Sequence, residues 1–180
     1  MSASRFAGVV LTAAIVLAAA RDTVVGVGSF GSLAPVGPGK PAPAFDVELL
    51  DGGRFAAANL PGKVHVVSFW ASWCGYCRNE LAQIDRKLLN GYDERVGFVA
   101  VNREGSSYDE ARALALQYRN ETRMRIPIAL DGGAMARAFG VGPIPHTVVF
   151  DAAGKIRHVH QGLVSSNELA DEIDALLAEQ

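Results

Sequence analysis

The chain has 180 residues, two cysteines and a formal net charge of −2 at pH 7. With 17 basic against 19 acidic residues and no basic or aromatic-interleaved patch, it lacks the features of a nucleic-acid-binding protein. Two cysteines cannot form a network of disulfides, so a hydrophobic core has to stabilise the folded part, and about 140 to 150 residues suffice for one core.

The first 20 residues are typical of an export signal. Arg5 is their only charged residue, and residues 6–20 are apolar or small. About 15 such residues suit a signal-peptide core better than a membrane span, which needs about 20, and Ala18-Ala19-Ala20 resembles a cleavage site. We expect an exported protein, in the periplasm or on the outer face of the cytoplasmic membrane, in which residues 1–20 are either a cleaved signal peptide or a retained N-terminal membrane anchor.

The rest of the chain is predicted to be a linker, residues 21–39, followed by one domain, residues 40–180. The linker is rich in Gly and Pro. In the domain, short apolar or alternating runs predict strands at 44–50, 54–56, 64–70, 96–101, 126–130, 147–150 and 156–160. Helical spacing predicts helices from 78 to about 90, at 109–118 and 134–139, and after the capping segment 165–168. Strands and helices alternate in the middle, which favours an α/β fold with a sheet between helices.

The two cysteines lie where a predicted strand meets a predicted helix. The first turn of a helix has unpaired backbone N–H groups and a partial positive charge. These favour a thiolate, so the pKa of Cys74 is expected to lie below the free value of about 8.5. Such a sulfur is both a nucleophile and a good leaving group in thiol–disulfide exchange. Cys77, one turn further along, can form a disulfide with it.

Three other uses of a cysteine pair fit this sequence less well. A purely structural disulfide across two residues would remove little entropy from the unfolded chain. A zinc site would need further ligands, and the chain has no second cysteine pair. A haem attachment site would need histidine at position 78, which is Arg78. Redox exchange is therefore the favoured interpretation.

The segment Phe69-Trp70-Ala71-Ser72-Trp73-Cys74-Gly75-Tyr76-Cys77 resembles the active-site segment of the thioredoxin superfamily. Glu80 and the segment Lys40-Pro41-Ala42-Pro43-Ala44-Phe45 resemble its exported TlpA/ResA-like branch, and the resemblance covers roughly residues 38–178. That branch contains membrane-tethered thiol–disulfide oxidoreductases, several of which are reductants in cytochrome c maturation. The resemblance implies a thioredoxin-like three-layer sandwich, with a central mixed sheet, helices on both faces and an added N-terminal β-hairpin.

The resemblance also implies partners and site residues. The partners would be disulfide- or thiol-bearing envelope proteins, with apocytochrome c as one candidate, and a membrane thiol would donate electrons to a monomeric protein without a cofactor. Cys74 would be the nucleophile and Cys77 the resolving thiol of a redox-active disulfide. Pro145 would be the cis-proline that faces the pair, with Pro143 as the competing position. Glu80 would tune the cysteine pKa values and transfer protons, unless it is an ordinary exposed glutamate.

Two positions depart from the common pattern. Ser68 stands where many thioredoxins have a buried Asp that relays protons, so proton transfer has to come from Glu80, water or elsewhere. Tyr76 stands where thioredoxin-like reductants often have Pro. We expect a reduction potential between about −270 and −120 mV, a span that leaves the direction of electron flow open.

The remaining aromatic residues and histidines receive weaker predictions. Trp73 is expected to cover the site and form part of the substrate-binding face, whereas Trp70 could belong to the core. His146 is expected at the surface, with a place near the sulfurs as the alternative. His158 and His160 share one face of a strand and are expected to be exposed, because two histidines without a third ligand do not make a metal site. No metal site is therefore predicted.

Three functions are weighed for the whole chain. The first is an exported thiol–disulfide oxidoreductase. The second is an exported copper-handling or thiol-carrier module of thioredoxin-like fold, although such modules resemble a site with three residues between the cysteines. The third, a peroxidase of the peroxiredoxin type, would want Thr three residues before the cysteine, where this chain has Ala71.

Overall fold

The computed structural model describes residues 36–105 and 107–180. Within these residues the chain forms seven strands and four α-helices. The strands are β1 (Asp46–Leu49), β2 (Arg54–Ala56), β3 (Val64–Trp70), β4 (Val96–Asn102), β5 (Ile128–Leu130), β6 (His146–Phe150) and β7 (Ile156–Gln161). The helices are α1 (Gly75–Gln83), α2 (Tyr108–Thr122), α3 (Ala134–Ala138) and α4 (Ser166–Ala178). Every predicted element of the domain is present, and the differences lie at element ends.

The strands form one mixed sheet in the order β2-β1-β5-β4-β3-β6-β7. Strands β3, β4 and β5 run parallel, and the other neighbours are antiparallel. All residues of β3 are buried. A strand that is buried on both faces and mostly apolar needs cover on each side, which explains its central position. The hairpin β1–β2 extends the sheet beyond β5.

Side chains from the sheet pack into a hydrophobic cluster on each face. On one face, which we call the α1 face, the apolar sides of α1, α2 and α4 cover Val66 and Trp70. On the opposite face, α3 and the N-terminal hairpin cover Val67 and Phe69. Burying one large apolar side chain contributes about 1.5–3 kcal/mol, so both layers stabilise the sheet. The predicted arrangement of helices on both faces with an added hairpin is confirmed.

The spacing of apolar residues did not locate every helix end. Helix α2 extends to Thr122 and ends at Arg123, a non-glycine residue with a left-handed φ of 56°. Helix α1 continues into a π-helical segment, Ile84–Leu88. The first and last residues of that segment, Ile84 and Leu88, are both buried. Helix α4 begins as predicted, because the Ser165 side chain accepts a hydrogen bond from the backbone N–H of Glu168.

No helix in the described part of the chain combines the length and the apolar character needed to cross a membrane. The predicted export signal, residues 1–20, lies outside the described residues, as does the predicted linker up to residue 35.

Candidate active site

The cysteine pair lies at the amino end of α1, directly after the central strand and a short turn. Cys74 is the N-cap of the helix, and its sulfur is bonded to that of Cys77 at 2.07 Å. The backbone N–H of Cys77 donates to the Cys74 sulfur at 3.2 Å. This is the predicted placement of a sulfur at a helix start, where the N–H group and the helix dipole would stabilise a thiolate after reduction.

The two sulfurs differ in their access to solvent. Cys74 is 7% exposed, whereas Cys77 is fully buried. An incoming sulfur nucleophile has to approach in line with the bond that it breaks, and only Cys74 presents a surface for that approach. Cys74 is therefore the more accessible member of the pair.

The loop before β6 faces the pair. The Ile144–Pro145 peptide bond is cis, as predicted, and it is the only cis bond among the described residues. The Ile144 carbonyl oxygen lies 3.9 Å from the Cys74 sulfur. On the other side of the bond, the Pro145 carbonyl accepts a hydrogen bond from the Gly162 N–H at 2.8 Å, which ties the loop to the end of β7.

An open cavity of about 650 Å³ lies beside the pair. It is lined by Trp73, Arg103, Glu104, Gly105, Gly132, Gly133, Gly142, Pro143 and Ile144. Trp73 and Tyr76 are both largely exposed, and large exposed aromatic side chains around a cavity are typical of a docking surface.

Sequence reasoning did not single out two charged residues of this cavity. The Arg103 guanidinium donates to the Gly142 carbonyl at 2.6 Å, and Glu104 accepts from the Ser72 N–H at 2.5 Å. The available signal was their position directly after β4, because ligands of α/β folds bind beyond the carboxyl ends of parallel strands.

Glu80 is buried in the α1 face with 1% of its surface exposed. Its carboxylate accepts hydrogen bonds from the Thr147 hydroxyl at 2.7 Å and from the Val164 N–H at 3.0 Å. Burial raises the pKa of Glu80, while these bonds, that of Ser68 and the nearby His160 counteract part of the rise. The alternative of an ordinary exposed glutamate is wrong, because three elements distant in sequence enclose the carboxyl group.

Ser68 contributes a neutral hydroxyl to the same network. Its oxygen lies 2.7 Å from the Thr147 hydroxyl oxygen and 3.3 Å from Glu80. Since Ser68 has one hydroxyl proton, it can serve only one of these two acceptors at a time. Sequence reasoning missed Thr147, although it lies two residues after Pro145 and pairs with Ser68 across β3 and β6.

His146 does not lie at the surface, so that prediction is wrong. It is 2% exposed, and its ring packs edge-on against Phe69 at 5.9 Å on the face of β6 opposite Thr147. Neither ring nitrogen has a hydrogen-bond partner among the described residues. Burial, and then the charges of Arg103 and His160, lower the pKa of His146, which keeps the ring neutral at pH 7. An interior strand buries both of its faces, which the prediction did not take into account.

The other predicted residues fall into two groups. Trp70 is fully buried against Tyr118 and belongs to the core. His158 and His160, expected to be exposed, are instead partly buried, and each has a ring nitrogen close to a carboxylate oxygen of Glu172 on α4. Both lie on β7, and His160 belongs, with Glu168 and Glu172, to the one group of described residues that could hold a metal ion.

Comparison with known proteins agrees with this arrangement. A family model described as Redoxin matches residues 37–177. The chain is 32% identical over 148 residues to the thiol:disulfide interchange protein DsbE of Pseudomonas fluorescens biotype C, covering 78% of each chain. It is 29% identical over 119 residues to the thiol-disulfide oxidoreductase ResA of Bacillus thuringiensis strain Al Hakam, covering 66% of each.

A solved structure supports the same assignment. A thiol:disulfide interchange protein of the thioredoxin family from Chlorobium tepidum TLS superposes with a TM-score of 0.67 at 25% identity, covering 80% of this chain and 99% of that one. The sheet order, the cysteine pair at a helix start and the matching family model lead to one conclusion. The chain belongs to the Redoxin family and, within it, to the ResA/TlpA-like thiol–disulfide oxidoreductases of thioredoxin-like fold.

Proposed function

We propose that this oxidoreductase exchanges disulfides with exported proteins through Cys74, and that Cys77 resolves the mixed disulfide. The observation that carries the proposal is the asymmetry of the pair. Cys74 is the accessible sulfur at the helix start and receives an N–H hydrogen bond, whereas Cys77 is fully buried behind it. A substrate can therefore meet one sulfur, while the second remains in reserve within the protein.

In the reducing direction, the Cys74 thiolate attacks one sulfur of a substrate disulfide. A mixed disulfide forms, and the second substrate sulfur leaves as a thiolate that takes a proton from water. Cys77 then loses its proton and attacks the Cys74 sulfur, which releases the first substrate sulfur. Two electrons pass to the substrate and the Cys74–Cys77 disulfide closes, so a thiol donor must reopen it for the next cycle.

We propose that Glu80 exchanges a proton with the Cys77 thiol. The spacing of three residues on α1 places the two side chains on the same side of the helix. An ionised carboxylate opposes a nearby thiolate, whereas a protonated one does not. Because burial raises the pKa of Glu80, its carboxyl group keeps a proton to higher pH than an exposed glutamate and can exchange it with the resolving thiol.

The cavity beside Cys74 is the proposed docking site for an extended segment of the substrate. Trp73 and the cis-proline loop form two of its walls, and the Ile144 carbonyl of that loop lies near the Cys74 sulfur. Arg103 and Glu104 add one charge of each sign to the lining. This mixed surface suits a polypeptide better than a small ligand of a single charge.

We further propose that the protein works outside the cytoplasm, with the signal or anchor in residues 1–20. Envelope proteins are the proposed substrates, including apocytochrome c in the reducing direction, and a membrane thiol is the proposed donor. The family resemblance supports these finer assignments, and the oxidising compartment that export implies makes disulfide exchange necessary.

Trapping tests the role of each cysteine. In Cys77→Ser, substrate should accumulate as a mixed disulfide on Cys74, seen on non-reducing gels and identified by mass spectrometry. Cys74→Ser is the matched control, because it keeps the buried thiol and removes the accessible one. If Cys77→Ser forms no mixed disulfides while the wild type reduces insulin, or if Cys74→Ser traps substrate equally well, the assignment is wrong.

A further inference from the structure

Four ligand-type side chains meet between the last strand and the last helix, which we call the β7–α4 cluster: His158, His160, Glu168 and Glu172. His158 Nδ1 lies 3.0 Å from Glu172 Oε1, and His160 Nε2 lies 3.1 Å from Glu172 Oε2. The two imidazole rings stack at 6.4 Å with their planes only 4° apart. One carboxylate thus bridges two ordered imidazoles.

The chain builds this cluster by simple periodicity. Alternate residues of a strand point to the same face, which places His158 and His160 side by side on β7. Residues four apart on a helix share one side, which does the same for Glu168 and Glu172 on α4. Helix α4 covers the same face of the sheet, so the two pairs face each other.

The ligand atoms lie close enough together for a zinc ion to draw them into contact. One ligand atom each from His160, Glu168 and Glu172 lies within 4.8 Å of the other two. Zinc bonds of about 2.0–2.1 Å in a tetrahedral arrangement place two ligand atoms about 3.3 Å apart. The 3.1 Å between His160 Nε2 and Glu172 Oε2 is already close to that value, so an ion can replace the shared proton with little movement.

The carboxylate of Glu168 is not needed to hold the two histidines in place. Glu172 already offers one carboxylate oxygen to each imidazole, yet Glu168 brings another negative charge to the same place. Among the described residues, no Lys or Arg forms an ion pair with either glutamate, whereas Glu179, just after α4, does pair with Arg157. Two carboxylates and two neutral imidazoles balance the charge of one divalent ion.

We propose that the β7–α4 cluster is a zinc site with His160 Nε2, Glu168 and Glu172 as protein ligands. His158 holds the other oxygen of Glu172 and so orients that ligand, which is the usual role of the residues around a metal ion's ligands. Three protein ligands leave a fourth position for water or an external ligand.

The site is separate from the cysteines but lies close to the network of Glu80. His160 pairs with Thr147 across β7 and β6, and Thr147 donates to Glu80 at 2.7 Å. The segment that connects β7 to α4 also supplies the Val164 N–H that donates to Glu80. A bound ion would therefore fix the same connection that encloses the buried carboxyl group.

Calorimetric titration of the tag-free full chain with zinc chloride at pH 7.5 tests the proposal. The protein is kept oxidised, because in the closed Cys74–Cys77 disulfide neither sulfur is a thiolate that could bind the metal. We expect one zinc ion per chain and a higher Tm with bound metal. The imidazole signals of His160 should shift in NMR spectra, while those of the buried His65 should not.

Variants decide whether the assigned residues hold the ion. Glu168→Gln changes an exposed side chain without a side-chain hydrogen bond in the described structure, so it should fold normally and bind zinc at least tenfold more weakly. His160→Gln should weaken binding at least as much. Glu179→Gln is the control, since it removes a carboxylate that pairs with Arg157 of the same strand but lies at the opposite end of α4, and it should leave zinc affinity unchanged.

Two results would overturn the proposal. One is the absence of saturable zinc binding by the oxidised wild type. The other is wild-type affinity in either Glu168→Gln or His160→Gln, which would place any bound ion elsewhere.

Discussion

Glu80 shows how much one side chain depends on distant parts of the chain. Its position after the second cysteine could be seen in the sequence, but its donors are residue 68 on β3, residue 147 on β6 and residue 164 in the connection between β7 and α4. Spacing along α1 cannot reveal that enclosure. Residue-scale reasoning therefore located the cysteine pair at a helix start, which depends on local sequence, and left the surroundings of Glu80 open.

Replacing Glu80 by Gln keeps the size of the side chain and removes its charge. We expect the pKa of the Cys77 thiol to fall in Glu80→Gln, because the carboxylate that opposes a second negative charge is gone. Thiolate absorbance during a pH titration of the reduced protein measures the shift. Glu94→Gln, at an exposed position, is the matched control and should leave the thiol titration unchanged. An identical titration in Glu80→Gln and wild type would remove Glu80 from the mechanism.

At the scale of elements, apolar runs predicted strands better than spacing predicted helix ends. Strand β3 has the predicted bounds, because β-branched and aromatic residues dominate the whole run. Helix α1 begins before the first periodic apolar residue, since Cys74 itself is the cap. Helix α2 ends at an arginine in a left-handed conformation, and nothing in the side chain of Arg123 marks a helix end in the way that glycine would.

The cap of α4 allows a direct test at this scale. The Ser165 hydroxyl oxygen accepts a hydrogen bond from the Glu168 N–H at 3.1 Å. Ser165→Ala should lower the free energy of unfolding by about 1 kcal/mol, measured by urea denaturation with zinc removed by a chelator. Ser165→Asp keeps an acceptor at the helix start and should remain close to wild type. Equal losses in both variants would show that the cap hydrogen bond is not the cause.

At the scale of the molecule, the layers could be predicted but the contacts across the sheet could not. Alternating strands and helices implied a covered sheet. The sequence does not show that β6 lies beside β3, and this pairing brings Thr147 to Ser68 and buries His146 against Phe69. The same limit applies to the zinc proposal, because the histidines were visible on one strand, whereas their carboxylate partners come from the packing of α4.

The neutral His146 should make the stability of the whole fold sensitive to acid. Its pKa is lowered in the folded state, chiefly by burial, while in the unfolded chain it is about 6.5. Below pH 6.5 the unfolded chain therefore binds a proton that the folded one does not. Stability is then lost as the pH falls, by up to about 1.4 kcal/mol per pH unit for a fully neutral buried group. The raised pKa of Glu80 acts in the opposite sense, since the stability it contributes at low pH is lost as the pH rises through its folded value.

The variant His146→Leu separates these opposing effects, because Glu80 and the other buried histidine, His65, are present in both proteins. Leucine leaves no ring nitrogen unpaired, so we expect it to be tolerated at this buried site. Urea denaturation of the oxidised, zinc-free proteins at pH 7.5, 6.5 and about 5.5 should show a smaller loss of unfolding free energy on acidification for His146→Leu than for wild type. Parallel pH profiles would mean that His146 takes up its proton in the folded protein as readily as in the unfolded chain. In that case the burial of His146 against Phe69 would not control the charge of its imidazole.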